Sequence, residues 1–530
     1  MERSAATRFP GSWSWPLGAT AVLASGVLLL VEGVRPTTVP DRITLRCVSL
    51  MLLSVGGLVV VGSRRNRSLG LGSMHAGSWY LVWFGIGFGL TSLAWRNQQE
   101  GTNARITQES VLLTLLFLHA AVIAWLLGYL VGPGRLMTRL GRRIASGAVQ
   151  ADETRVRGAS TPWILFGISV LGRLVQLTGG RFGYVGDPSQ LLTNPASTGQ
   201  LVNVMVQCGN YALIVAAIAF TQQRTTASRV TMITLTATQV VLGSLAGGKQ
   251  HFILAVLAPA MVLAVRGRFP WKVTSAALVV FIIGVVPFIQ AYRENSRSAD
   301  YTLTPSDAFR QAPEILEDTL TRDAGSRFRD TVDLMSDRTR QIDNFAVVVQ
   351  TTPTQYAYHP PSDYLYAPVL GLIPRIIWSS KPVVSSGAEF ARVYLGTGPG
   401  VYTSAAIPPV ADLYQHGGPL VLLVGMFVIG AMIRLVDRTL HPRHDLRLVI
   451  IYFPFFLQFI KAEAALTSVI AGLPLTLLTA SLVCRFAFRP KASSTATTHP
   501  APRTDASAIA SPKAAPSSTV RSLSHQSPRV

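Results

Sequence analysis

Along this chain, apolar residues collect in runs of about twenty, each closed by a short polar or basic stretch. The runs fall near 13–34, 44–63, 75–95, 110–132, 162–178, 200–221, 229–246, 251–265, 273–291, 418–433, 448–461 and 464–484. A helix needs about 20 apolar residues to cross a bilayer, so the pattern predicts an all-α polytopic transmembrane bundle of about twelve spans. The pair between 229 and 265 is short and reads equally as a hairpin that crosses only in part. The first run has no small-residue cleavage pattern and a second follows at once, so it is expected to be a retained span rather than a signal peptide.

The pattern divides the chain into spans one to nine (1–291), a long loop (292–417), spans ten to twelve (418–487) and a tail (488–530). In the loop, Thr304-Pro305-Ser306-Asp307 has the form of a helix start: a capping hydroxyl, proline in the first turn, then an acid at the positive end of the dipole. One helix is expected from there to about Thr321 and a second from about Arg327 to Val349. From 351 to 417 the chain is rich in Pro, Gly and Tyr, and its piece YLYAPVLGLIPRIIW is too short and broken to span. It suits an interfacial or re-entrant position. The tail after Pro490 is Ser-, Thr-, Ala- and Pro-rich and is expected to be disordered, because it buries too little to offset the entropy of ordering.

Composition agrees with lipid exposure: of 530 residues 49% are hydrophobic and only 14% charged, against about 25% charged in soluble domains. The net charge of +21 is explained by placement. RRNR at 64–67, the Arg-rich 135–157, Arg224 with Arg229, RGRFPWK at 266–272 and 434–447 all fall on one side of the twelve-span scheme. The loop 292–417 holds 11 Lys and Arg against 14 Asp and Glu. By the positive-inside rule the basic side is cytoplasmic, as are both termini, in a bacterial cytoplasmic membrane. The partners implied are membrane lipids, with no nucleic acid. Cys47, Cys208 and Cys484 each lie in an apolar run, without metal-ligand spacing, and read as packing residues.

Chemistry is first narrowed by what is missing. GGK at 247–249 lacks the rest of a phosphate-binding loop, GTGPG at 396–400 does not follow a strand, and HPRH at 441–444 lies among cytoplasmic arginines. No cofactor and no metal are expected. The first outer loop has a single acid, Asp41, where many polyprenyl-dependent glycosyltransferases carry two. On the outer side, cations recur. Arg173 lies inside the fifth run and reads equally as a functional charge and as an arginine reaching out to headgroups. Lys249, Arg293, Arg375, Lys381 and Arg392 are each ordinary interfacial anchors alone, but together they form a candidate basic site for phosphate oxygens. IPPVADLYQHGG at 407–418 adds Asp412, Tyr414 and His416 beside the bilayer. Asp412 or His416 is a candidate base, and Asp412 reads also as a cap for the next helix. Tyr356, Tyr358, Tyr364, Tyr366 and Trp378 are candidates for stacking on sugars or for lining the membrane interface.

IPRIIWSSKP, then GAEF, then IPPVADLYQHGG running into a glycine-punctuated span, resembles the O-antigen polymerase family, the oligosaccharide repeat-unit polymerases of bacterial envelopes. GSLAGGKQHFILAVL at 243–257 and Arg293 after the ninth run fit the same pattern, and the likeness covers about 240–435. One departure is that the acidic position, commonly Glu after Gly, is here Ala411-Asp412. The resemblance implies a membrane glycosyltransferase that moves a glycan from polyprenyl pyrophosphate onto a sugar hydroxyl at the outer face. Its implied partners are polyprenyl-pyrophosphate-linked oligosaccharides, a chain-length regulator and a flippase. A lipid-linked oligosaccharide flippase and a ligase-type glycan transferase are the alternatives.

Overall fold

The computed structural model describes residues 14–34, 38–66, 74–96, 106–148, 156–179, 182, 199–246, 249–267, 271–297, 340–374, 377–378, 380–381, 386–397, 405–460 and 464–488, with scattered positions from 310 to 329. Among them no strand occurs; a single antiparallel bridge joins Val156 to Phe488. The helices are α1 (Ser14–Val34), α2 (Val39–Asn66), α3 (Ala76–Phe84), α4 (Gln108–Val131), α5 (Arg135–Ala148), α6 (Thr161–Thr178), α7 (Gly199–Gln223), α8 (Thr226–Leu245) and α9 (Lys249–Val265). Then come α10 (Trp271–Val280), continued through a π-turn into α11 (Val286–Arg297), and the loop helices α12 (Ile342–Thr351), α13 (Asp363–Leu372), α14 (Ser386–Val393) and α15 (Pro409–Gln415). Last are α16 (Gly418–Thr439), α17 (Val449–Ile460) and α18 (Leu466–Ala487).

Among the described residues, eight stretches are long and apolar enough to cross a bilayer: Pro16–Val34, Val39–Gly62, Gln108–Val131, Thr161–Thr178, Gly199–Gln223, Trp271–Ala291, Gly418–Thr439 and Leu466–Ala487. The other four predicted runs are also helical, yet each falls short for its own reason. The 76–96 stretch passes from α to π to 3-10 winding. Helix α8 carries Thr226, Thr231, Thr234, Thr236 and Thr238. Helices α9 and α17 are short, and both contain a proline, Pro259 and Pro454. The twelve-span count therefore reduces to eight full-length helices plus four helical stretches of lesser length or apolarity.

Helix α4 shows how the sequence builds an element. Thr107 accepts from the Ser110 N–H at 3.3 Å, Glu109 follows in the first turn, and Gly132 ends the helix with φ 71. Its inner face packs on α16, where Gly128 meets the Phe427 carbonyl and Gly430 meets the Trp125 carbonyl. A Cβ at either position would sit on the neighbouring backbone, so the glycines let the two helices cross closely. Trp125 then stacks on Tyr80 with ring centroids 4.9 Å apart, in the middle of one continuous core.

Two buried polar knots tie the bundle. At the end away from the long loop, Asp437 of α16 is fully buried. It accepts from the Ala76 and Gly77 N–H groups at 3.0 and 3.2 Å, and from the Tyr129 and Tyr452 hydroxyls at 2.9 and 2.8 Å. One carboxylate thereby caps α3 and joins it to α4 and α17. At the loop-bearing end, buried Glu32 of α1 pairs with Arg42 at 2.9 Å and Arg46 at 2.7 Å on α2, and Arg46 reaches the Leu112 carbonyl of α4.

The loop folds onto that end. Helix α12 is buried along one side and packs on α4, and its Gln350 accepts from the Thr107 N–H at 3.1 Å. The Trp95 indole donates to Asp343 at 2.7 Å, and Arg340 pairs with the same carboxylate at 2.8 Å. Of the two loop helices expected, the Thr304–Asp307 start lies outside the described residues. The second is described as Ile342–Thr351, two residues past its expected end. Cys47, Cys208 and Cys484 are buried free thiols, as their apolar neighbours predicted.

Candidate functional site

Helix α15 begins at Pro408-Pro409, where proline costs nothing because first-turn N–H groups have no helical partner. It lasts only seven residues and ends at Gly417 and Gly418, whose φ values of 142 and 69 are open to glycine and turn the chain straight into α16. This short helix is packed between the loop and the bundle, with Val410 to Gln415 all buried.

Asp412 at its centre has no exposed surface. Its Oδ2 accepts from the Thr467 N–H at 3.1 Å and the Tyr364 hydroxyl at 3.3 Å. Thr467 is in the first turn of α18, so the carboxylate does cap a helix, but one that begins more than fifty residues later rather than the next in sequence. Its other oxygen, Oδ1, has no hydrogen-bond partner among the described residues and lies 3.6 Å from His416 Nδ1. Burial pushes the Asp412 carboxyl above the usual carboxylate range, against the opposing pull of His416, the Thr467 N–H and the Tyr364 hydroxyl. The Tyr364 phenol is likewise raised, by burial first and then by the neighbouring Asp412 charge.

His416 closes the cluster. Its Nδ1 is 2.7 Å from the Asp412 carbonyl, so this nitrogen carries the proton and donates. Its Nε2 faces Asp363 Oδ2 at 3.7 Å. The His359 ring lies 5.3 Å from it, with Nε2 3.0 Å from the Gln415 amide and the His359 N–H bonded to the Gln415 carbonyl at 2.9 Å. Tyr414 points the other way, into the core, against Phe117 at 5.3 Å and Phe345 at 5.8 Å. It is a packing residue that fixes α15 on α4 and α12.

The predicted cations are distributed more widely than the sequence suggested. Lys381 is buried and its Nζ donates to the Ile373 carbonyl at 2.9 Å, at the C-terminal end of α13. Tyr364 is in the first turn of that helix, so Lys381 and Asp412 lie about 14 Å apart along its axis, at 1.5 Å per residue. The same C-terminal end meets α7, where Gln200 donates to the Gly371 carbonyl at 3.1 Å. Arg173 belongs to α6, whose Gly172 packs on Val202, Met205 and Val206 of α7, one turn beyond Gln200. Arg173 is buried, and its Nε and Nη2 have no partner among the described residues. Its side chain is thus held inside the protein rather than extended to a headgroup.

Arg392 is exposed at the end of α14, and Trp378 is exposed, with its indole 3.1 Å from the Ser380 hydroxyl. Lys249 opens α9 and Arg293 lies in α11, but their side chains are outside the described residues, as is Arg375 altogether. Among the stacking candidates, Tyr358, Tyr366 and Trp378 are exposed while Tyr356 and Tyr364 are half-buried. Helix α13 also presents Leu365 and Val369 outward.

Sequence reading had placed Tyr364 only as an aromatic surface and had passed over Thr467, His359 and Asp363. These meet Asp412 and His416 from segments about fifty residues away on either side, and no local spacing marks such a meeting. Residues 190–466, just over half of the chain, match a family described as "Domain of unknown function (DUF8712)". Neither a curated protein nor a solved structure matches.

Proposed function

The chain belongs to the DUF8712 family, and we propose that it polymerises lipid-linked oligosaccharide repeat units at the outer face of the bacterial cytoplasmic membrane. In this reading all twelve apolar runs cross or enter the bilayer, both termini are cytoplasmic, and the 292–417 loop covers the outer end of the bundle. The observation that carries the reading is Asp412: a fully buried carboxylate with one oxygen satisfied by the protein and the other without a donor. Leaving a buried acceptor unpaired costs about 1–3 kcal/mol. A sugar hydroxyl supplies the missing donor and loses its proton to that same oxygen.

The chemistry follows from these positions. The acceptor hydroxyl oxygen attacks the anomeric carbon of the donor glycan. The bond from that carbon to the diphosphate oxygen breaks, and the electron pair leaves with the diphosphate. The hydroxyl proton passes to Asp412, whose Oδ1 has no hydrogen-bond partner among the described residues, whereas His416 points its Nδ1 at the Asp412 carbonyl and its Nε2 at Asp363. Burial raises the carboxyl's proton affinity, which favours its taking up the hydroxyl proton. No nucleotide is needed, since the diphosphate carries the activation. At the far end of α13, Lys381 and the Arg173 region suit the acceptor's own pyrophosphate, which a repeat unit separates from the attacking hydroxyl. Exposed Tyr358 and Tyr366 provide ring faces for the glycan in between.

In cells that make the polymer, Asp412→Asn at normal expression is expected to leave single repeat units in place of long chains. Full-length polymer from that variant would refute the assignment. Accumulation of long chains that are not attached to their final acceptor would instead identify a ligase.

A further inference from the structure

A second feature of the same region is independent of glycan chemistry. His359, Asp363 and His416 each turn one donor atom toward a common point, and the three atoms lie within 4.8 Å of one another. The segments that carry them are pinned: His359 through its backbone to Gln415, Asp363 as the first residue of α13, and His416 by its Nδ1 to the Asp412 carbonyl.

Hydrogen-bond accounting shows what this point lacks. Since His416 Nδ1 donates to a carbonyl 2.7 Å away, the neutral ring has its lone pair on Nε2. That lone pair faces a carboxylate oxygen of Asp363 at 3.7 Å. A cation between the two is shared by both, whether it is a proton on Nε2 or a metal ion. His359 adds a second imidazole; its Nε2 lies 3.0 Å from the Gln415 amide nitrogen, a donor, so metal binding by this ring requires that amide to turn and present its oxygen instead. Behind His416, the buried Asp412 carboxylate lies 3.6 Å from Nδ1. A ring nitrogen backed by a carbonyl and a carboxylate, with its other nitrogen free, is the orientation that strengthens a histidine as a metal ligand.

We infer that His359, Asp363 and His416 bind a divalent transition-metal ion. Two imidazoles and one carboxylate suit Zn²⁺ best, with bonds of about 2.0–2.2 Å. Tetrahedral ligands at that length stand roughly 3.4 Å apart, so closing the site takes shifts of about 1 Å. The Asp363 side chain is 42% exposed, so the ion keeps an open side for water or an anionic oxygen. The binding claim stands without the transferase reading. Within that reading, and resting on it, the ion would meet the donor's departing diphosphate beside Asp412, where no described lysine or arginine forms an ion pair with that carboxylate.

The test uses the full chain, purified in detergent, stripped with a chelator and titrated with Zn²⁺ alone, with bound metal counted by mass spectrometry. One Zn²⁺ per chain is expected. Asp363→Asn and His359→Ala should each weaken it roughly a hundredfold, whereas His444→Ala, exposed at the opposite end, should leave it unchanged. Co²⁺ in place of Zn²⁺ gives visible absorption bands that report the ligand set directly, and size-exclusion profiles show that the variants stay folded. Zinc binding that is absent, or equally tight in Asp363→Asn, overturns the proposal. Because no glycan enters this measurement, its failure leaves the transferase reading standing, and failure of polymer synthesis leaves the metal site standing.

Discussion

At Asp412, two donors satisfy one carboxylate oxygen and none satisfies the other, and this asymmetry sets what a substitution does. Tyr364→Phe removes one of the two donors and keeps the ring's packing against His416, at 4.7 Å between centroids. A hydrogen bond to a charged group contributes about 1.5–3 kcal/mol, so transfer should slow by about tenfold to a hundredfold. The check is a turnover measurement at saturating substrate, with thermal unfolding recorded alongside to show that the variant stays folded at the assay temperature. A Tyr364→Phe enzyme with normal turnover would make the phenol a packing group only. That Asp412 and His416 belong together was legible at this scale, because helical spacing of four puts both on one face of α15. Their partners were not: Tyr364 and Thr467 approach through tertiary folding, and sequence distance hides them. Lys381, read from the sequence as part of a phosphate site, contacts Ile373 at the C-terminal end of α13, whereas Tyr364, in the first turn of that helix, contacts Asp412.

Element by element, the apolar runs predicted helices and the structure contains them, including the pair around 229–265. What the pattern could not fix was completeness. Hydropathy registers the side chains facing lipid, whereas α3, α9 and α17 are largely buried against other helices, so their polar residues and prolines are tolerated. Asp437 illustrates this dependence. It sits at the basic end of α16, where the sequence gives no hint of its role, and holds the first turn of α3 from another helix. Asp437→Ala removes the acceptor of the Gly77 N–H and the Tyr129 hydroxyl, while the Ala76 N–H keeps the Tyr452 oxygen and the Tyr452 hydroxyl keeps the Met74 carbonyl, and should lower stability by roughly 3 kcal/mol. Tyr452→Phe removes the hydroxyl that Asp437, the Met74 carbonyl and the Ala76 N–H share and should cost about 1–2 kcal/mol. Thermal denaturation of the detergent-solubilised protein distinguishes them; equal melting of Asp437→Ala and wild type would show that the knot is not a stabilising element.

For the whole molecule, the alternation of basic and non-basic loops predicts a bundle with one long loop at one end. The starts of α2, α4, α7, α16 and α18 all meet the loop-bearing end, through Arg46, Thr107, Gln200, Gly418 and Thr467. The loop itself was the least legible part, since its helices are short and its order comes from docking on α4, α7 and α18 rather than from periodicity. That docking buries Asp412 between the loop and the bundle and places Lys381 at the other end of α13. The account predicts that the purified protein, in lipid vesicles with lipid-linked repeat units and no nucleotide, joins units into longer chains and releases free polyprenyl pyrophosphate. In that reaction Asp412→Asn should reduce the rate by at least about a thousandfold. Chain growth by the Asp412→Asn protein at the wild-type rate would contradict the account.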